Sequence, residues 1–208
     1  MIPEQEIIRL TTSSRQHPVL IRGTTVGKAI ELLETGLLTP DNASGKFYFW
    51  PIKAGYDYYQ IQPPTEFPKA YSDAEANKEA EIWAKLHTID SEYLKRFGCD
   101  KDDFTPEYYK EHFNGNVMQH RKADREAKAE LREKLGVVIG FGPKITDLDL
   151  KVEKAFSADK KGWDKQLIYP VELYLPKGIP YTHVLSIEYI GEKDKQLLQE
   201  FIGNVNEI

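Results

Sequence analysis

The chain of 208 residues has a single cysteine, Cys99. One thiol excludes an internal disulfide and a cysteine metal cluster. The five histidines are scattered. No His-x-x-x-His or HExxH pair occurs, and no ligand pattern surrounds His112 and His120, so no metal is expected. An excess of positive charge is also missing: 28 Lys and Arg stand against 33 Asp and Glu, a net charge of -5. That argues against a coat of basic residues for duplex DNA and leaves room only for a local basic groove. No apolar run approaches the ~20 residues of a membrane helix. No basic, apolar and small-residue succession marks a signal peptide. These absences predict a soluble, cytoplasmic chain with no membrane partner. Internal repeats and low-complexity tracts are absent. So are a GxSxG elbow, a Walker loop and a GxGxxG following a strand. The glycines of "GVVIGFGPK" read as a turn, because neither a second-strand acid nor a following amphipathic helix supports a Rossmann unit.

What is present suffices for a core, with 40% hydrophobic and 12% aromatic residues. Val19, Leu20 and Ile21 read as a short buried strand. Val26, Ala29, Ile30, Leu33 and Leu37 recur at helical spacing and predict an amphipathic helix over 26–35, with Thr25 as N-cap and Gly36 as the C′ residue. "KFYFW", 46–50, reads as a strand ended by Pro51. Ser72 to Glu75 form a capping box. Behind it Ala76, Ala80, Trp83, Ala84 and His87 line one helical face to about residue 88. Residues 89–135 read as a helical insertion. Thr105-Pro106-Glu107 is a helix start, and Ala123, Ala127, Leu131 and Leu135 step by four on a charged helix that stops at Gly136. Strands are expected at 137–141, within 145–156, at 166–175 and at 183–190, and a closing helix at 193–202. The order predicts one α+β domain, 1–208, with a mostly antiparallel sheet.

Three local features bear on chemistry. The corner Arg22-Gly23-Thr24-Thr25 reads either as a capped helix start or as a place where an arginine and a hydroxyl hold phosphate or ribose. "GKFYFWPIKAGYDYYQ" reads either as a buried strand with an aromatic loop or as an aromatic wall for a flat ring, with Lys53 beside it. Glu172, inside Val171-Glu172-Leu173, either faces solvent or serves a site, and Pro170 obscures which face it takes. The basic residues of the 118–134 helix, Arg121, Lys122, Arg125, Lys128, Arg132 and Lys134, are interleaved with acids and read as a solvated face.

Taken in order, "LIRGTT", "GLLTP", "FYFWPIK" and "VELYLPKGIPYTHVLSIEYI" resemble the ADP-ribosyltransferase fold. Within it they resemble the DarT family of nucleic-acid-modifying toxins. The likeness covers residues 17–60 and 166–202. It implies a split, mostly antiparallel sheet with flanking helices and a helical insertion. It implies NAD as substrate, with Arg22, Gly23, Thr24, Tyr48 and Tyr56 around it, Glu172 as the catalytic carboxylate and Lys53 steering the pyrophosphate or the acceptor. A nucleic acid, DNA or RNA, is the implied acceptor. A protein acceptor, NAD hydrolysis, a tRNA 2′-phosphotransferase and a non-catalytic interaction module of the same fold are the alternatives. An antitoxin would be the expected partner of a toxin. The chain departs from the DarT pattern at position 22, where Arg replaces His, and at Lys53, which replaces an arginine. Arginine on this strand is typical of the arginine-serine-glutamate class, but "KFYFW" lacks that class's Ser-Thr-Ser.

Overall fold

Phe47 and Phe49 alternate with Lys46, Tyr48 and Trp50, and a strand sends alternate residues to opposite faces. In the computed structural model, which describes residues 2–12, 17–41, 45–62, 72–152 and 171–205, this segment is β3 (Lys46–Pro51). Phe47 and Phe49 are fully buried on one face of the sheet. In chain order the elements around it are α1 (Glu4–Thr12), β1 (Leu20–Thr24), α2 (Val26–Thr35), β2 (Leu37–Leu38), β3, α3 (Lys53–Tyr59), α4 (Asp73–Phe97), α5 (Pro106–His112), α6 (Val117–Glu130), β4 (Val137–Phe141), β5 (Leu150–Val152), β6 (Val171–Tyr174), β7 (Ile179–Pro180), β8 (Val184–Tyr189) and α7 (Glu192–Val205). The chain is thus mixed α and β. The main sheet has the order β5-β6-β3-β1-β4-β8, and β2 pairs with β7 beside it. Every pairing among the described residues is antiparallel.

The pairing lengths locate an opening. β1 pairs with β4 along its whole length, Leu20 to Thr24, and β3 pairs with β6 from Lys46 to Phe49. Between β1 and β3 the register holds only Leu20 against Pro51 and Ile21 against Trp50. Beyond Ile21 the two strands part.

Two cores lie on the two faces. The larger gathers Phe47, Phe49, Ile139, Phe141, Val171 and Leu173 from the strands with residues of α1, α2 and α7. The smaller packs Ile21, Trp50 and Val138 beneath Ala76 and Ala80 of α4, with Trp83 against them. Ala76, Ala80 and Ala84 are fully buried and step down α4 by single turns. Their small size lets the helix backbone press onto β1. A Cβ at Gly23 would lie 1.8 Å from the Ala80 carbonyl oxygen and 2.5 Å from the Ala84 nitrogen. Gly23→Ala is therefore expected to lift α4 off the sheet and to destabilise the protein by about 1–3 kcal/mol or more, the usual cost of overpacking. A denaturant melt unchanged from wild type would contradict this packing.

Helix α2 forms as its cap signals predict. Thr25 accepts a hydrogen bond from the Lys28 N–H at 3.2 Å, and Gly36 takes the left-handed conformation at φ 79°, which costs glycine little. Other expectations need correction. The strand does not end at Ile21 but runs from Leu20 to Thr24, because Arg22 and Thr24 have buried partners and Gly23 fits against α4. The aromatic stretch after Pro51 is helix α3 rather than loop. α4 runs past 88 to Phe97 and stops at Gly98. Its later turns change partners from the sheet to the insertion, where Phe97 stacks on Phe104 at 4.2 Å and Tyr93 donates to Asp124 at 2.8 Å. Helix α6 closes at Glu130, short of Gly136. The strand expected within 145–156 is β5, and a 3-10 turn over Pro143–Asp147 precedes it. Residues 153–156 and 166–170 of the expected strands lie outside the described residues. Fully buried Asp194 joins two corners: its Oδ2 accepts from the N–H groups of Leu135, Gly136 and Gly191 at 2.7, 3.0 and 3.2 Å. Among the described residues no helix is long and apolar enough to cross a membrane, and no cluster of His, Cys, Asp and Glu could hold a metal ion.

Candidate active site at the split of the sheet

A strand that loses its neighbour leaves backbone polar groups to be satisfied by other means. Where β1 and β3 part, the means is Arg22. Its Nη1 donates to the Tyr48 carbonyl at 2.9 Å. Its Nη2 donates to Asp41 Oδ2. The guanidinium carbon lies 5.4 Å from the centre of the Phe47 ring. Thr24 donates its hydroxyl to Asp41 Oδ1 at 2.8 Å. From α4, His87 brings Nε2 to 3.7 Å from Asp41 Oδ2. Asp41 thus sits in the gap, with β1 supplying two donors and α4 an imidazole.

The cluster is buried. Side-chain exposure is 4% for Arg22, 9% for Asp41 and 23% for His87. Burial pushes the Asp41 carboxyl up. The charges of Arg22 and His87, with hydrogen bonds from Thr24 and Arg22, outweigh it and hold the group below its ordinary value. Burial pushes the His87 imidazole down. Asp41 opposes that, Arg22 adds to it, and the net displacement is downward. At neutral pH the cluster holds one carboxylate, one guanidinium and a neutral imidazole.

Glu172 lies between Val171 and Leu173 on β6, and those two belong to the larger core. Alternation therefore sends Glu172 to the other face, the one that carries α4. Tyr48 stands directly opposite it on β3 and Lys151 on β5. Lys46 places Nζ 2.9 Å from Glu172 Oε2, and the glutamate side chain is 14% exposed. Tyr48 shares this face with Trp50, which packs under α4. Here the carboxylate is paired with a lysine and bordered by an aromatic ring.

The structure places Arg22 and Thr24 in the buried Asp41 cluster and Tyr48 opposite Glu172, and the bond from Arg22 to the Tyr48 carbonyl ties the cluster to β3. Arg22 leaves β1 on the Phe47 side and Glu172 leaves β6 on the other. The remaining expected residues lie apart. Gly23 is pressed against α4. Tyr56 is buried in the larger core, where burial pushes its hydroxyl pKa well up. Lys53 is exposed at the first position of α3. Asp41, His87 and Lys46 are site residues that the sequence did not mark. Asp41 reads locally as turn chemistry and His87 as one more residue on a helical face, and only the fold brings them to Arg22. No family model matches the chain, and no curated protein or solved structure matches it.

Proposed function

We propose that the chain is an NAD-dependent mono-ADP-ribosyltransferase that modifies nucleic acid and acts as a toxin. The observation that carries this reading is the pairing of Tyr48 with Glu172 across β3 and β6, beside the opening of the sheet. A mostly antiparallel sheet, a glutamate on a late strand and a tyrosine on the aromatic strand are what the resemblance implies, and the register of Tyr48 against Glu172 supports the reading.

The chemistry follows from charge. Cleaving the bond between nicotinamide and ribose passes through an oxocarbenium-like state, with positive charge on the ribose. A carboxylate fixed beside that ribose stabilises the charge as it develops. Glu172 is held for this by the hydrogen bond from Lys46. Tyr48 offers a ring against which the nicotinamide or ribose packs. Arg22 has its planar fork occupied by Asp41 and the Tyr48 carbonyl, so its role in this reading is to fix β3 at the opening. Among the described residues, Lys46 and Lys151 are cations of this face that suit the pyrophosphate. The transfer needs no metal, because the leaving nicotinamide is neutral.

The test is incubation of the purified protein with labelled NAD and separate pools of DNA, RNA and protein, followed by mass spectrometry. An ADP-ribose adduct on nucleic acid is the expected outcome. An adduct confined to protein changes the acceptor and leaves the donor chemistry standing. Free ADP-ribose alone indicates a glycohydrolase. Intact NAD with every pool rejects the proposal.

A further inference from the structure

We infer that His87, which faces Asp41, is the general base that takes the acceptor's proton in the transfer step, an inference that rests on the ADP-ribosyltransferase reading above. An oxocarbenium ion accepts any lone pair, so the acceptor alone decides what is modified. A neutral acceptor with an N–H or O–H, such as a nucleobase nitrogen or a hydroxyl, must lose a proton as it bonds to C1′. Glu172 is poorly suited to that proton, because its charge is committed to the ribose and to Lys46.

His87 has the required arrangement. It stands on α4, which packs on the same face of the sheet as Tyr48 and Glu172. It lies one helical turn beyond Trp83, with ring centres 5.7 Å apart. Its side chain is 23% exposed, so an acceptor can reach it. Nε2 is the nitrogen turned to Asp41 Oδ2, at 3.7 Å. The negative charge of Asp41 favours the proton on Nε2, the nitrogen nearer to it, and leaves the lone pair on the other. Nδ1 is therefore the basic atom, and Asp41 stabilises the imidazolium that forms. Asp41 is itself fixed by Arg22 and Thr24, so the charge that faces the imidazole is held in place. The charged groups facing His87 are Asp41 from the turn after β2, Arg22 from β1 and Asp90 from its own helix. Burial and Arg22 keep it neutral near pH 7, the form a base needs.

The step balances. The C1′–N bond breaks, and its electron pair leaves with neutral nicotinamide. A lone pair of the acceptor forms the new bond to C1′. The acceptor proton passes to Nδ1 of His87 and from there to water.

The experiment compares wild type, His87→Gln and His87→Ala for nicotinamide release and for adduct formation across pH 5 to 8. Wild-type transfer is expected to rise with pH through a midpoint below the ordinary histidine value, as the imidazole becomes neutral. His87→Gln is expected to lose about 10²–10⁴-fold of transfer, the usual range for general-base catalysis, and to lose that pH limb. Added imidazole is expected to restore part of the activity of His87→Ala. A His87→Gln enzyme with wild-type transfer and pH profile overturns the base role and leaves the proposed function standing. Equal loss at every pH with no rescue by imidazole marks a structural role and overturns it too. A wild-type protein that releases no nicotinamide rejects the proposed function, and the base role falls with it.

Discussion

Glu172→Gln is expected to fold as wild type does and to lose nicotinamide release by about 10²–10³-fold, equivalent to ~2.7–4 kcal/mol of barrier by analogy with removal of an oxyanion-hole donor. The substitution preserves size and one hydrogen-bond acceptor while removing the charge that faces the oxocarbenium. Its cost in stability is small for a stated reason. The pair with Lys46 is partly exposed, at 39% for the lysine, and such pairs contribute ~0–1 kcal/mol. The two effects therefore separate by measurement. Thermal melts followed by circular dichroism read the first, and chromatography of released nicotinamide reads the second. Lys46→Ala serves as the control, since it breaks the same ion pair but leaves the carboxylate in place. A larger rate loss in Glu172→Gln than in Lys46→Ala is the signature of a carboxylate acting on the ribose. Full activity of Glu172→Gln would remove Glu172 from the site.

The elements that were legible in the sequence are those whose signals are local. Helix α2 carries its own start and stop in Thr25 and Gly36, and β3 announces itself by the aromatic alternation of residues 46–50. The elements that were misread depend on distant partners. Arg22-Gly23-Thr24 resembles a turn because two polar residues flank a glycine. It is strand because Asp41 neutralises the arginine and satisfies the threonine, while Ala80 and Ala84 occupy the space a side chain would fill. Helix α4 reads as shorter than it is, because after Ala84 its buried residues turn from the sheet toward Phe104 and α6. Helix α1 carries only Ile7 and Leu10 as buried anchors, too few to mark a helix in nine residues.

The site divides in the same way. Tyr48 and Glu172 could be named from strand patterning, although Pro170 hid the face that Glu172 takes. The register against Lys46–Phe49 resolves it. Tyr56 and Lys53 entered through the resemblance, on the stretch that follows β3. The helix that forms there turns Tyr56 into the larger core and leaves Lys53 at its exposed start. Asp41 and His87 carry no local mark, since a carboxylate in a turn and a histidine on a helix face are common. What sets them apart is convergence on one buried arginine, and only the tertiary fold supplies that.

Asp41→Ala is expected to cost about 3–5 kcal/mol of stability, because it leaves the Arg22 guanidinium buried without its counter-charge. Arg22 is 3% exposed as a residue, and its remaining partner, the Tyr48 carbonyl, is neutral. The ion pair is not thereby a source of stability over an apolar core. The double variant Arg22→Met with Asp41→Leu removes both charges and is expected to be near neutral or more stable than the single variant by most of that cost. The same logic fixes the acid response. The Asp41 carboxyl has a lower pKa when folded than its ordinary value of 3.8. Its contribution is therefore fully present above that ordinary value and is lost as pH falls through the folded-state value. Glu130, held at about 2 by hydrogen bonds from Lys134 and Lys193, adds a similar acid-side loss. The informative quantity is thus the difference between wild type and variant. Urea melts from pH 7 down to 3 should show the gap between wild type and Asp41→Ala constant at the upper end and narrowing only below about pH 4, where the unfolded-state carboxyl begins to hold its proton. A single variant within 1 kcal/mol of wild type at pH 7, on the scale of an exposed pair, would mean that Asp41 is not what neutralises Arg22. The opening between β1 and β3 would then be held by some other contact.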